Sequence, residues 1–233
     1  MKRMRAMSVW DAEPKVVGTV HSPDSLKIAL KLAPGAVDLL EIRLDAFADP
    51  APLRQHLPKL SVPLLITARH PAEGGANALS TAKRSALYEE FLPLASLMDM
   101  ELRSVGKMKS VLSAARAAKV GVVISSHYFS NTPPVARLHK IIQRSHSAGA
   151  DICKIATLAS TPAQLAALLS IFAKKPPLPL AVMGMGNLGK ISRLLLAKAG
   201  SVLNYGYLDK PNASGQWEAA LLKKRIAELG SDL

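Results

Sequence analysis

Lys154 stands in Ala150-Asp151-Ile152-Cys153-Lys154-Ile155-Ala156, a short apolar run that reads as a buried strand. A lysine there must find a partner or lose its charge, because burial disfavours the ammonium form. A neutral amine in a dry pocket is a nucleophile whose usual target is a carbonyl, giving a Schiff base. The plainer alternative is a lysine that pairs with a carboxylate or reaches solvent at the strand end. Other chemistry-bearing residues end similar apolar runs. They are Glu41-Ile42-Arg43-Leu44-Asp45, Thr67-Ala68-Arg69 running into Glu73-Gly74-Gly75, Asp99 and Glu101, Ser125-Ser126-His127, and Met183-Gly184-Met185-Gly186 followed by Ser192-Arg193.

Spacing gives these residues a shared direction. Glu41 and Arg43 are two apart and fall on one face of a strand, as do Asp99 and Glu101. Glu41 with Arg43 could be a structural ion pair, His127 a satisfied histidine, and Met183 and Met185 apolar wall. Buried charges are costly, however, and five consecutive strands place them near one end. On neighbouring strands, Lys154 and His127 can do coupled work, the lysine forming an imine with a ketone and the histidine moving protons. Arg43, Arg69 and Arg193 offer planar forks for a carboxylate. The implied substrate is a hydroxylated keto acid. No His, Asp and Glu set has metal spacing, so no metal is expected, and the imine serves as electron sink. Elimination and retro-aldol cleavage both fit.

The elements that must position these residues alternate in type. Strands are expected at Val16–Val20, Val37–Leu44, Val62–Ala68, Leu97–Leu102, Val120–Ser125, Asp151–Ala156, Leu178–Met183 and Ser201–Tyr205. Helices lie between them. Ser22-Pro23-Asp24 opens the first, Thr132-Pro133-Pro134 the fifth and Thr161-Pro162-Ala163-Gln164 the sixth, the last with capping-box spacing. Others are expected near 51–57, 80–92, 104–118, 189–198 and 216–229, with Gly149 and Gly200 as stops. Eight strand–helix units point to α/β architecture, a (β/α)8 TIM barrel spanning 1–233 as one domain, with an open doubly wound sheet as runner-up. In such a barrel functional residues gather at the C-terminal ends of the strands.

The chain of 233 residues carries a net charge of +13. The Lys and Arg residues are scattered and aromatics are sparse, which argues against a nucleic-acid platform. Steeply salt-dependent DNA or RNA binding without enzyme activity would restore that reading. The only cysteine is Cys153, so a reducing, cytoplasmic setting fits and no disulfide framework is possible. No apolar run is long enough to span a membrane, and Met1–Arg5 is basic without an apolar stretch after it. Gly184-Met185-Gly186-Asn187-Leu188-Gly189 matches G-x-G-x-x-G, with Asp209 about twenty residues on. Coming after six earlier units, it reads as a tight loop at the barrel mouth, or as a phosphate site suited to a sugar-phosphate aldolase.

Taken in order, these motifs, with Gly200-Ser201 and Gly215-Gln216, resemble type I 3-dehydroquinate dehydratase, the Schiff-base hydro-lyase of the shikimate pathway. The resemblance covers Glu41 to Gln216. It implies that Lys154 forms the imine, that His127 is the general acid and base, and that Glu41 positions substrate hydroxyls and the histidine. It further implies that Arg193 binds the carboxylate, that Arg43, Arg69 and Gln216 contact hydroxyls and carboxylate, and that Met183, Met185 and Tyr205 wall the ring. Asp45, Glu73, Asp99 and Glu101 stand behind these groups. The stretch Asn212–Gln216 resembles the lid. No cofactor is implied, the substrate is 3-dehydroquinate, and the partner is a second copy, as a homodimer. The chain departs from the family at Tyr128, where Asp is common, and at Asn212 and Ser214, where the lid usually has Ser and Pro. Without that proline the open lid has more entropy to lose on closing.

Overall fold

A computed structural model describes residues 13–230; the basic stretch Met1–Arg5 lies outside them. Eight strands alternate with eight helices. The strands are β1 Lys15–Val20, β2 Leu39–Arg43, β3 Leu64–Thr67, β4 Leu97–Glu101, β5 Gly121–Tyr128, β6 Ile152–Leu158, β7 Leu180–Met185 and β8 Leu203–Tyr207. The helices are α1 Pro23–Ala29, α2 Ala51–His56, α3 Thr81–Phe91, α4 Lys109–Ala117, α5 Val135–Ser147, α6 Pro162–Ser170, α7 Gly189–Ala199 and α8 Ala219–Glu228. All strand pairs are parallel in the order β7-β6-β5-β4-β3-β2-β1-β8. The Val202 amide donates to the Leu180 carbonyl at 2.8 Å and the Val182 amide to Ser201 Oγ at 2.9 Å, drawing β8 against β7 and closing the barrel.

Because side chains alternate along a strand, every second residue faces the barrel interior. One apolar residue from each strand forms a floor: Val17, Leu39, Leu65, Leu97, Val123, Ile152, Ala181 and Leu203. Two residues further along each strand come Thr19, Glu41, Thr67, Asp99, Ser125, Lys154, Met183 and Tyr205, all buried. The interior therefore changes from hydrocarbon to polar in one step toward the C-terminal end. The opposite strand faces carry residues such as Leu40, Ile66, Met98, Ile124, Ile155 and Val182, which pack under the helices.

Caps fix where several helices begin. Ser22 and Ser25 form a reciprocal capping box on α1, and Thr161 and Gln164 do so on α6. Gly200, at φ 114°, ends α7, and Gly149, at φ 78°, follows α5. Other boundaries differ from expectation for local reasons. The second strand starts at Leu39, because the Asp38 carboxylate bonds the Val16 amide (2.8 Å) and Lys223 (2.8 Å). Helix α4 starts at Lys109, not 104, because the Ser104 hydroxyl is drawn to Glu101 Oε2 at 2.8 Å. Thr132 does not cap α5; its hydroxyl donates to the Leu158 carbonyl at 2.7 Å and ties the loop to β6. Glu218 caps α8, which leaves Gln216 outside the helix.

Candidate active site

The polar ring of the barrel interior is centred on Lys154. Its amine lies 2.8 Å from Asp99 Oδ2, 3.5 Å from Glu41 Oε1 and 3.8 Å from the centroid of the Tyr205 ring. The lysine has thus found partners deep in the barrel. Asp99 also accepts from Arg69 through both oxygens (3.0 and 2.8 Å) and from the Ser125 hydroxyl (2.6 Å). Burial opposes ionisation of Asp99, but Arg69 and then Lys154 outweigh it and hold the carboxyl far below the usual range. Glu41 accepts from Thr67 (3.0 Å) and Thr19 (3.3 Å).

A further group of charges supports this centre from α3. Arg84 donates to Glu101, to Ser104 and to the Ala68 carbonyl, and Tyr88 donates to the Asp99 carbonyl. Glu101 in turn accepts from Arg69 (3.2 Å) and from the His70 amide (2.9 Å). Lys154, Arg69 and Arg84 face Glu41, Asp99 and Glu101, so the buried charges balance, as burial demands. Arg43 makes a two-point contact with Asp45 (3.0 and 2.8 Å). Asp45 also accepts from the Arg69 and Ala76 amides, joining β2 to the loop after β3.

His127 projects from the end of β5. Its Nδ1 lies 2.9 Å from Glu73 Oε2, which also accepts from the His127 amide at 3.0 Å. Burial, then the charges of Arg69 and Lys154, hold the imidazole well below its ordinary value, so it is neutral at pH 7. Burial and the charge of Glu101 raise Glu73 to about 7. The two share a proton-bearing contact, and Nε2 is left for whatever enters. Phe129, half exposed, stacks on the imidazole at 6.4 Å between centroids.

Arg193, from α7, is held by carbonyls alone: Tyr205 (3.0 Å), Gly184 (2.8 Å), Gly189 (2.9 Å) and Gly215 (2.7 Å). Among the described residues no carboxylate pairs with it. Burial lowers it to about 10, so it remains a cation at neutral pH. The segment 210–216 folds over it. Gln216 Oε1 accepts from the Asn212 (2.9 Å) and Ala213 (3.3 Å) amides, and the Gly186 amide donates to Ser214 Oγ (3.0 Å) and O (3.2 Å). Gly215 sits at φ 73°, and a Cβ there would stand 2.4 Å from the Gly186 carbonyl, so only glycine fits.

These groups line an open cleft of about 110 Å³. Glu41, Arg43, Arg69, Glu73, His127 and Lys154 line one side; Met183, Met185, Arg193, Tyr205, Asn212 and Gln216 line the other. Asp45, Asp99 and Glu101 lie behind them, although Asp99 touches Lys154 directly. Gly74 and Ala213 line the cleft as parts of the motifs named above, whereas Thr19 and Phe129 also line it and were not anticipated. Thr19 carries a signal in retrospect, as the one polar residue in an apolar strand. Arg84 and Tyr88 carry none, because nothing in a helix pattern marks a residue that reaches into a neighbouring sheet.

Two other sequence features resolve differently. The amides of Gly184, Gly186, Leu188 and Gly189 are bonded to Ser192 Oγ, Ser214, the Ala159 carbonyl and the Gly186 carbonyl, so these four are not open to a phosphate. Asp209 accepts from Ser22 Oγ at 2.7 Å and anchors the start of the lid. Tyr128 packs outside the barrel under Arg137 and takes no part in the cleft.

A parallel eight-stranded barrel with a buried lysine among carboxylates at the C-terminal ends of its strands is an enzyme barrel. A family model described as type I 3-dehydroquinase matches residues 16–231, and the chain belongs to that family. The chain is 35% identical over 218 residues to the 3-dehydroquinate dehydratase of Pyrococcus abyssi, covering 92% of this chain and 99% of that one. It is 32% identical over 222 residues to that of Methanocella arvoryzae, covering 94% and 99%. Among solved structures, the 3-dehydroquinate dehydratase of Geobacillus kaustophilus superposes with a TM-score of 0.86 at 27% identity, covering 95% of this chain and 93% of that one. The type I enzyme of Clostridium difficile, solved with covalently modified comenic acid, gives 0.83 at 26%, covering 96% and 94%.

Proposed function

We propose that the chain is a hydro-lyase that converts 3-dehydroquinate to 3-dehydroshikimate and water through an imine on Lys154. The observation that carries this reading is the pairing of opposites across the cleft. A lysine sits beside a histidine neutral at pH 7, and Arg193 stands there as a cation with no carboxylate among the described residues to match it. A substrate bearing a ketone and a carboxylate satisfies both.

The Lys154 ammonium passes one proton to His127 Nε2 and the free amine adds to the ketone; the carbinolamine hydroxyl takes that proton and leaves as water, forming the iminium. The iminium withdraws electrons from the adjacent carbon, whose proton passes to His127 Nε2. The resulting enamine expels the β-hydroxyl, which takes that proton from His127 and leaves as water. Water then hydrolyses the conjugated iminium, restoring the ketone and the lysine ammonium. The water released in forming the imine balances the water consumed at the end, so the net product is one water. Glu73 holds the imidazole by Nδ1 through both proton transfers. Arg69, committed to Asp99 and Glu101, acts mainly by ordering those carboxylates, while Glu41, Arg43, Asn212 and Gln216 meet the substrate hydroxyls and carboxylate.

The reading extends to one domain, supported by a single continuous sheet, and to a homodimer, supported by the family. It places the enzyme in a reducing cytoplasm, supported by the free thiol of Cys153. Addition of 3-dehydroquinate should produce conjugated-enone absorbance. Borohydride added during turnover should leave the reduced adduct on Lys154 in a peptide mass map. Full activity in Lys154→Ala would sink the mechanism.

A further inference from the structure

Tyr205 has a polar atom that none of the described residues bonds. Its ring lies beneath the Lys154 amine, yet its hydroxyl is buried with no hydrogen-bond partner among the described residues. The groups around it are all engaged: Asp99 by Lys154, Arg69 and Ser125, and Glu41 by Thr19 and Thr67. An orphaned hydroxyl costs stability, because burial removes its water and nothing replaces it. Phenylalanine would fill the same space without that cost. Burial, then the charges of Glu41 and Asp99, hold the hydroxyl well above the ordinary phenol value, so it stays a donor.

Lys154 cannot keep its present contacts once it has reacted. An ammonium has three N–H donors, whereas an iminium nitrogen bonded to substrate carbon keeps one. Glu41, already the longer of the two contacts at 3.5 Å, is the carboxylate left short of a donor. We propose that Tyr205 is a positioning residue that replaces Lys154 at Glu41 during the imine stages, donating its hydroxyl hydrogen to that carboxylate. The tyrosine proton stays on oxygen throughout, and no bond to the substrate is made by the residue. The proposal rests on the imine reading above and adds to it the group that holds Glu41 in place while the lysine is covalently committed.

Tyr205→Phe tests it with readouts that move in opposite directions. The expected result is a fall in kcat of about ten- to hundredfold, the range for a hydrogen bond to a charged group, with little change in KM. Borohydride should still trap the adduct, and the thermal midpoint should be unchanged or higher. In a Glu41→Gln background the same change should have little further effect, since the tyrosine acts through that carboxylate. Unchanged kcat, or a loss of kcat accompanied by a lower midpoint or fully additive with Glu41→Gln, would overturn the proposal. Absence of any adduct in the unsubstituted protein would overturn the imine reading and this proposal with it. An adduct with unchanged Tyr205→Phe kinetics would overturn this proposal alone.

Discussion

Lys154 Nζ and Arg69 Nη2 share one oxygen, Asp99 Oδ2, which lies 2.8 Å from each. Two cations are thus held close together deep in the barrel by a single carboxylate. Their mutual repulsion is tolerable only while that carboxylate is ionised. The site's charge order therefore depends on Asp99 more than on any group that faces the cleft.

Removing that carboxylate leaves two buried cations without their shared partner. Asp99→Ala should lower stability by about 3–5 kcal/mol, the usual cost of breaking a buried ionic set, read as the shift of a denaturant transition. Acid should act in the same direction. Asp99 and Asp45 both titrate below their ordinary value in the folded protein, so their stabilising contribution is complete above about pH 4. It is lost as the pH falls below that value toward the folded one. A substitution costing under about 1 kcal/mol would contradict this account.

The Glu73–His127 contact sets the acidic limb of activity. At low pH Glu73 carries a proton; as the pH rises through about 7 it ionises and accepts fully from Nδ1, leaving Nε2 as base. A profile of kcat/KM should rise with an apparent midpoint near 7 that belongs to the pair. Glu73→Gln can still accept from Nδ1 but cannot titrate, so activity should be lower and the rise should vanish. Persistence of the same rise in the variant would assign it to another group.

Arg193, proposed above to meet the substrate carboxylate, holds the 210–216 segment through the Gly215 carbonyl. Arg193→Lys keeps the charge but cannot reach four carbonyls at once, so it is not conservative. KM for 3-dehydroquinate should rise by about 30-fold or more, from the 2–5 kcal/mol typical of a buried charged contact. Limited proteolysis should cut the 210–216 segment faster. Wild-type KM in this variant would remove Arg193 from substrate binding.

Ser214 offsets the missing proline by a bond from the Gly186 amide. Ser214→Ala should raise KM severalfold, as expected for one hydrogen bond of about 1 kcal/mol. Ser214→Pro should stay near the original value, because lower entropy of the open lid, worth about 0.4–1 kcal/mol, replaces that bond. Equal KM values for all three proteins would show that this contact does not govern closure.

Much of the barrel was legible because strands buried on both faces are apolar and the intervening segments carry caps. Lys154, His127 and Glu41 stood out because charge in an apolar run is conspicuous. What escaped was reach. Thr19 is marked only by being polar within the apolar run Val16–Val20, and Phe129, two residues after His127, reads as an ordinary aromatic. Arg84 and Tyr88 lie on a helix yet stabilise Glu101 and the Asp99 backbone through long side chains. Their partners come from β3 and β4, which local spacing does not reveal. Thr132 misled for a related reason: its hydroxyl had a better acceptor on β6 than in its own helix.

The seam between β7 and β8 sets where the molecule gives way first. Seven strand pairs are held by continuous ladders, and this one by a backbone bond, a serine hydroxyl and the Arg193 guanidinium, which bonds the Gly184 and Tyr205 carbonyls. Thermal breathing should part the wall there, while amides of β3 and β4, on the far side, exchange most slowly with solvent. Tyr205 and the lid lie on one lip of that opening, and Met183, Met185 and Gly186 on the other. Arg193 bonds a carbonyl on each lip, so it is the pin that holds the cleft end of this seam shut.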